Sequence, residues 1–333
     1  MAHPRILITG GGGFLGNAYA AFLRNIMTDA HIFLIDTLTT RDSQQRAEQI
    51  ASLPRCTITR GDIRDKSLLY ALFARHCFDQ VIHFANKRRI HTVGDNPESF
   101  IDTNIQGTQT ILEVAANQWF GRYADAQFIY VSTEQVYGEL HHGAPPFSET
   151  DRLLPSCPYA ASKASAELMA QSYHRAFGFP TRIVRPSTVY GPAQGGAHFI
   201  PRVIRHGLQS TPITLHEAPE TLRQWLWVED FCRGVYTVSR NGKSGEIYNI
   251  GGHHEYSHHD IVGEICQQLN KPLSEAITLK EDLLAHHQRR ALSTAKLRDL
   301  GWSPQISIEH GLSRCIQWYT THRSWWDSSY EIA

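Results

Sequence analysis

Short apolar runs alternate with longer amphipathic stretches along the first two-thirds of the chain. The runs fall at residues 6–8, 32–35, 56–59, 80–84, 127–132 and 181–186. Between them the spacing of apolar positions predicts helices near 14–24, 67–75, 97–118 and 158–176. Strands alternating with helix-length segments imply βαβ units and a parallel sheet, with 181–186 as its sixth strand. The fold class expected is therefore α/β, a Rossmann-type doubly wound parallel sheet. The helices at 97–118 and 158–176 are long and, taken together, rich in Ala and Ile. They admit two readings: a four-helix contact in a homodimer, or packing on their own sheet alone.

Turn residues thicken after Gly191, at Gly191-Pro192, Gly195-Gly196, Pro201, Pro212 and Pro219. This punctuation predicts a smaller C-terminal substrate-binding lobe. Residues 224–228 and 246–250 read as short strands, and 261–269 and 308–319 as helices. The expected domains are 1–180, a dinucleotide-binding unit with a return around 225–252, and 181–333, mainly the lobe. The sequence contains no repeat and no low-complexity segment.

Composition narrows the function classes. The 333 residues are 41% apolar, which suits a globular protein with a real core. Lys plus Arg equals Asp plus Glu at 32 each, so no nucleic-acid or membrane-surface partner is expected and any anion site is local. The cysteines, Cys56, Cys77, Cys157, Cys232, Cys266 and Cys315, form no C-x-x-C pair and read as reduced thiols of a cytoplasmic enzyme. The strand pattern begins at Arg5 with no signal-peptide core before it, and no apolar run reaches membrane-spanning length. Histidines occur in pairs such as His141-His142, His253-His254, His258-His259 and His286-His287. No H-x-x-x-H helix pair with a third ligand accompanies them, so they read as solvated loop residues and no metal is expected.

The first strand runs into a glycine string whose Gly10, Gly13 and Gly16 fall as G-x-x-G-x-x-G. A tight strand-to-helix turn needs residues without a Cβ. A pyrophosphate must reach backbone N–H groups at a helix N-terminus, where the dipole favours an anion. Asp36 ends the second strand, where an acid takes the adenosine ribose hydroxyls and repels a 2′-phosphate. NAD is therefore expected rather than NADP, although Arg41 stands nearby. Asp62 admits two readings, a hydrogen bond to the adenine amino group or a turn or cap before the next helix.

Tyr159 and Lys163 stand at i and i+4 on one predicted helix, following the fifth strand and Ser132-Thr133. An ammonium one turn away stabilises a phenolate near neutral pH. The phenolate can then take a hydroxyl proton, with the Thr133 hydroxyl sharing the same oxygen. Such chemistry belongs beside a nicotinamide that accepts the hydride.

The chain resembles the extended short-chain dehydrogenase/reductases, the NAD-dependent epimerase/dehydratase family, and most closely their dTDP-glucose 4,6-dehydratase branch. The stretches that carry the resemblance are TGGGGFLG (9–16), GDIRD (61–65), VIHFA (81–85), DTNIQGT (102–108), STEQVYGEL (132–140), PSCPYAASKASAE (155–167), RQWLWVED (223–230), YNIGGHHE (248–255) and LGWSP (300–304). They keep the family's order across nearly the whole chain. The resemblance implies Thr133, Tyr159 and Lys163 as the catalytic trio, with Glu134 beside them. It implies cofactor contacts from Phe14, Leu15, Thr39, Ile63, Phe84, Ala85 and Asn104, besides those named above. It also implies that Arg223 and an arginine of the pair Arg289-Arg290 grip the diphosphate of a nucleotide-linked sugar, as a planar fork suits phosphate oxygens.

The pattern breaks twice. The 4,6-dehydratases carry Thr-Asp-Glu after the fifth strand, the Asp protonating the leaving hydroxyl and the Glu removing the C5 proton. This chain has Thr133-Glu134-Gln135. An amide cannot serve as a base near neutral pH. Either Glu134 performs both tasks in turn or elimination is lost, leaving Gln135 to bind substrate. The second break is at Ala85-Asn86-Lys87-Arg88-Arg89, then His91, where the family reads Ala-Ala-Glu-Ser-His. Three cations there suit an added anion such as a uronate carboxylate, or they form a solvated loop.

All enzymatic readings begin with oxidation at sugar C4. A dehydratase then loses water across C5–C6. A 4-epimerase reduces the keto sugar on its other face and needs only the trio. A decarboxylase is a third branch, but it keeps a glutamate where Gln135 stands. A non-catalytic NAD-binding protein has no use for the proton relay of Thr133, Tyr159 and Lys163.

Overall fold

A computed structural model describes residues 3–87, 98–215, 221–273, 277–279, 289–323 and 325. The chain runs β1 (Arg5–Thr9), α1 (Phe14–Ile26), β2 (His31–Asp36), α2 (Arg41–Ala51), β3 (Cys56–Arg60), α3 (Lys66–His76), β4 (Gln80–His83), α4 (Glu98–Phe100), α5 (Gly107–Gln118), β5 (Gln127–Val131), α6 (Pro158–Phe177) and β6 (Thr181–Pro186). There follow β7 (Thr188–Tyr190), α7 (Phe199–Gln209), β8 (Ile213–Leu215), β9 (Leu222–Trp227), α8 (Val228–Asn241), β10 (Ile247–Ile250), β11 (Glu255–Ser257), α9 (His258–Gln268), β12 (Ile277–Leu279), β13 (Arg289–Arg290), α10 (Ala295–Arg298) and α11 (Ile308–Thr321).

The main sheet is parallel throughout, in the order β10-β6-β5-β4-β1-β2-β3. Alternation along β1 turns Ile6 and Ile8 to one layer and Leu7 to the other. On the Leu7 side lie Leu69 and Phe73 of α3, Ile111 of α5 and Ala166 of α6. On the other side lie Leu23 of α1, Val235 of α8 and Trp227 of the lobe. Because both faces are covered, the central strands β1, β4 and β5 read as short apolar runs. Strand order reverses between β1 and β4. Such a switch point opens a crevice at the strands' carboxyl ends, the usual ligand position in open α/β sheets.

A second sheet belongs to the lobe. In it β9 pairs with antiparallel β11 and with parallel β13 and β7. The strand expected at 224–228 is therefore part of the lobe, whereas that at 246–250 joins the main sheet as β10 beside β6. The return to the main sheet is made by α8 and β10. A parallel strand pair, β8 with β12, completes the lobe. Among the described residues, no helix is long and apolar enough to cross a membrane.

The helix expected at 97–118 is broken. From 98 on, α4 gives way to a wide π-helical stretch, Ile101–Gln106, before α5 begins. The wider turns point Asn104 inward, where its side chain is bound on both sides; such insertions cluster at functional sites.

One buried ion pair fixes α6 to the sheet. The Glu167 carboxylate meets the Arg185 guanidinium of β6, with both side chains essentially inaccessible. Arg185 also donates to the Tyr137 hydroxyl, which in turn donates to Asn249 Oδ1 of β10 at 2.8 Å. Removing one partner strands a buried charge. Glu167→Leu is therefore expected to lower the unfolding free energy by about 3–5 kcal/mol, read from urea denaturation. A loss below about 1 kcal/mol, the range of an exposed pair, would show that water reaches Arg185.

Candidate active site

The glycine loop leaves β1 at the switch point. Gly10 has φ +69°, and a Cβ there would lie 2.7 Å from the Ala85 amide nitrogen. A Cβ on Gly16 would lie 2.3 Å from the Gly10 carbonyl oxygen, so α1 closes onto the loop only because this position is bare. No side chain caps α1 at Gly13. The amides of its first turn, at Phe14, Leu15 and Gly16, thus face the crevice rim without a side-chain acceptor, which fits a pyrophosphate. The Asp36 carboxylate accepts from the N–H groups of Gly12 at 3.0 Å and Leu38 at 2.9 Å. That clamp fixes it beside the loop, where ribose hydroxyls would bind; Thr39 follows it, exposed.

Asp62 forms a turn. It accepts from the Arg64 amide at 2.9 Å and from the Arg64 guanidinium at 2.7–3.1 Å. Burial pulls its pKa up, but the bonds and charge of Arg64 outweigh this and hold it below the usual carboxylate range. The helix cap is Asp65, whose carboxylate accepts from the Leu68 amide at 2.9 Å. Ile63 is buried beneath Gly107.

A buried relay ties β1 to the end of β4. The Ala85 amide donates to Thr9 Oγ1 at 3.2 Å, and Thr9 Oγ1 lies 2.6 Å from His83 Nδ1. On the other side, His83 Nε2 lies 3.0 Å from Thr108 Oγ1, which donates to the Asn104 carbonyl at 2.6 Å. Since Thr108 gives its proton to that carbonyl, His83 Nε2 must carry the proton and Nδ1 must accept. Burial, with the Lys163 charge added, pulls His83 down to about 3, so the ring is neutral. Sequence reasoning missed this relay; its signal is a histidine inside the apolar run of β4.

Asn104, expected beside the nicotinamide, bonds the chain on both sides of its amide. Its Nδ2 donates to Lys87 O at 2.9 Å and Ser162 Oγ at 2.8 Å, and its Oδ1 accepts from the Lys87 amide at 2.6 Å. Both amide protons are thus used within the protein. Asn104 is a clamp holding the segment after Phe84-Ala85 to α6. Its hold is on the Lys87 backbone, and the Lys87 side chain is exposed. Arg88, Arg89 and His91 lie outside the described residues.

Lys163 is buried one helical turn after the half-buried Tyr159. Its ammonium donates to the Val131 carbonyl at 2.7 Å and lies 4.2 Å from the Tyr130 ring centre. Burial pulls its pKa down to about 7, opposed by Glu167 one turn on. The bond to Val131 draws α6 onto the end of β5, where Thr133 starts the turn Glu134–Tyr137. Thr133 Oγ1 accepts from the Gln135 amide at 3.4 Å. The trio's helix and turn are therefore packed against one another.

Glu134 is fully buried. Its Oε1 accepts from Thr188 Oγ1 at 3.0 Å, while its Oε2 has no partner among the described residues. Burial raises its pKa to about 7, against the pull of Arg290, Arg223 and Thr188. Arg223 and Arg290 are register partners across β9 and β13. Strand alternation sends Arg289 to the opposite face. There it pairs with Glu255 at 2.6 and 2.7 Å and donates to the Ala144 carbonyl at 2.5 Å. Of the arginine pair, Arg290 is thus the one whose charge reaches Glu134. It is paired with Glu139. Gln135 lies against Cys157, with its Oε1 4.0 Å from the thiol sulfur.

A family model described as GDP-mannose 4,6 dehydratase matches residues 7–315. The chain belongs to this family. It is 35% identical to dTDP-glucose 4,6-dehydratase 1 of Escherichia coli (strain K12) over 97% of this chain and 95% of that one. The structure of a dTDP-glucose 4,6-dehydratase from Bacillus anthracis in complex with NAD superposes with a TM-score of 0.88 at 30% identity, covering 97% of this chain and 99% of that one. A UDP-glucuronic acid 4-epimerase from Bacillus cereus, in complex with UDP-glucuronic acid and NAD, gives a TM-score of 0.84 at 26% identity, covering 95% and 99%. For a family member, the relay through His83 and the clamp at Asn104 explain how the β4 end and α6 are held around one crevice.

Proposed function

We propose that the chain is an NAD-dependent nucleotide-sugar 4,6-dehydratase of the dTDP-glucose kind, in which Glu134 alone carries the proton of the elimination. The observation behind this is the buried Glu134 carboxyl, poised near pH 7 with Oε2 unpartnered among the described residues. The uncapped glycine loop, Asp36 and the crevice fit NAD. Bound NAD would supply the hydride acceptor for sugar C4 and return that hydride to C6. Phe14, Leu15, Gly16, Asp36, Thr39, Asp62, Ile63, Phe84 and Ala85 would hold it. Tyr159 would take the C4 hydroxyl proton, with the Lys163 ammonium and the Thr133 hydroxyl beside it. Arg223 and Arg290 would bind the diphosphate.

Oxidation at C4 acidifies the C5 proton. Glu134 as carboxylate takes that proton, then as acid gives it to the departing C6 hydroxyl, which leaves as water; C5 takes a proton from solvent as the hydride returns to C6, balancing the C4 hydroxyl proton that Tyr159 passes to solvent. One carboxyl can do both because its two protonation states are close in energy near pH 7. Incubation with dTDP-glucose is the test: mass spectrometry is expected to find a product lighter by one water. A product of unchanged mass with inverted C4 favours the second reading, a 4-epimerase. Gln135 supports that alternative, as does the similarity to the Bacillus cereus epimerase. Starting material left intact by both routes would contradict the proposal.

We also propose a homodimer. Ile101, Leu168 and Phe177 are half or more exposed on the layer of α5 and α6, and a second copy would cover them. Leu168→Glu is expected to convert the protein to a monomer in sedimentation velocity; an unchanged sedimentation coefficient would place the contact elsewhere. Six cysteines without a disulfide support a cytoplasmic setting.

A further inference from the structure

Arg46 is a buried cation that none of the proposed steps uses. It lies on α2, 6% exposed, with its guanidinium carbon 5.5 Å from the centre of the Trp325 ring. Its Nε donates to the Gly12 carbonyl at 2.7 Å and its Nη1 to the Ala193 carbonyl at 2.8 Å. Gly12 is the loop residue whose amide holds Asp36. Ala193 sits in the segment 188–198, which comprises β7 and its link to α7. One planar fork therefore bridges the dinucleotide loop and the lobe.

That segment is built as a strap with a defined conformation. Ala193 is held at φ +59°, a left-handed conformation that a residue with a Cβ adopts only under constraint. The next carbonyl, at Gln194, accepts from the Tyr319 hydroxyl of α11 at 2.6 Å. Gln194 Nε2 donates to the Val189 carbonyl at 3.1 Å. A Cβ on Gly191 would lie 2.4 Å from Val228 and 3.5 Å from the Phe14 ring, and one on Gly195 would lie 2.7 Å from the Asp42 carboxylate. The strap is thus pressed against both the start of α1 and the start of α2. Its first residue, Thr188, holds the Glu134 carboxyl, and β7 lies beside β9, which carries Arg223.

We propose that Arg46 is a positioning residue that couples occupancy of the dinucleotide loop to the shape of the sugar-nucleotide pocket. A dinucleotide phosphate settling on the glycine loop fixes the Gly12 carbonyl. Arg46 transmits that constraint to Ala193, and the strap then presents Thr188 and the β9 edge in one arrangement. Coupling of this kind is reciprocal, so a nucleotide in the pocket tightens the hold on NAD by the same factor. The inference rests on the proposed function, since it takes the two ligands to be NAD and a nucleoside-diphosphate sugar.

Calorimetric titration of dTDP into NAD-loaded and NAD-stripped protein measures the coupling directly, without turnover. The wild-type protein is expected to bind dTDP at least about fivefold more tightly when NAD is bound. In Arg46→Met that ratio is expected to fall to one, with NAD retention weakened about tenfold by the lost charged hydrogen bond. Tyr319→Phe loosens the strap at Gln194 without touching Gly12. It is expected to weaken dTDP binding alike in both forms and to keep the ratio. A structural role alone would lower the melting temperature of Arg46→Met and leave the ratio intact, which would overturn the inference. If Arg46→Met fails to fold, Arg46→Lys carries the same expectation, because one ammonium lacks the fork that bonds the two carbonyls. Wild-type protein that binds both ligands with a ratio of one overturns the coupling alone. Wild-type protein that takes up neither overturns the proposed function as well.

Discussion

Glu134→Gln is expected to abolish loss of water from the sugar, by about 10²–10⁴-fold in kcat, while oxidation at C4 continues. The amide keeps the size of the carboxyl and can still accept the Thr188 hydrogen bond. It can neither take the C5 proton nor return it. In the wild-type protein the elimination rate is expected to rise with pH through about 7, as the carboxylate form of Glu134 fills, and then to level. That dependence should vanish with the carboxyl. Stability should move the opposite way. The folded pKa of Glu134 lies above its usual 4.5, so the folded state binds more protons between pH 4.5 and 7 and loses stability as pH rises through that window. The amide does not titrate and suffers no such loss, so the variant is expected to be the more stable protein above pH 7 in thermal unfolding. A variant that is less stable and equally active would remove Glu134 from the chemistry.

Tyr159→Phe is expected to stop turnover altogether, by about 10²–10⁴-fold or more, with no reduced cofactor formed on mixing with nucleotide sugar. Only one hydroxyl is lost, and the ring contact with Phe100, 6.1 Å between centroids, remains available. NAD retention should be unchanged, because the glycine loop and Asp36 are untouched. Dehydratase and epimerase readings share this expectation, since both begin at C4. Reduced cofactor appearing at the wild-type rate would show that another group takes the hydroxyl proton.

The main sheet was legible because its central strands are buried on both faces. Runs such as 127–132 then carry no polar interruption, and the glycine string and Asp36 follow from turn chemistry alone. The sequence pattern left α2 unread because its inward face mixes Ala47 and Ile50 with Ser43 and Arg46. Buried polar residues erase the period that marks a helix, and here one of them bridges two halves of the molecule. The π-helical stretch at Asn104 is invisible for a related reason: the extra residue is selected by hydrogen bonds to Lys87 and Ser162, far off in sequence. Position β9 was legible as a strand, but its partners β7, β11 and β13 come from three separate segments, and only tertiary pairing assigns it to the lobe. At the turn after β5 the residues Thr133 and Glu134 could be named from sequence. The burial that raises Glu134, and the Thr188 hydroxyl that holds it, could not.

The central claim is that hydride and proton chemistry at one sugar leads to elimination across C5–C6. dTDP-glucose deuterated at C4 tests it in a single incubation, with the product examined by nuclear magnetic resonance and mass spectrometry. The expected product has lost one water and carries the deuterium at C6. Deuterium retained at C4, in a product of unchanged mass with that centre inverted, would contradict elimination and leave the chain an epimerase.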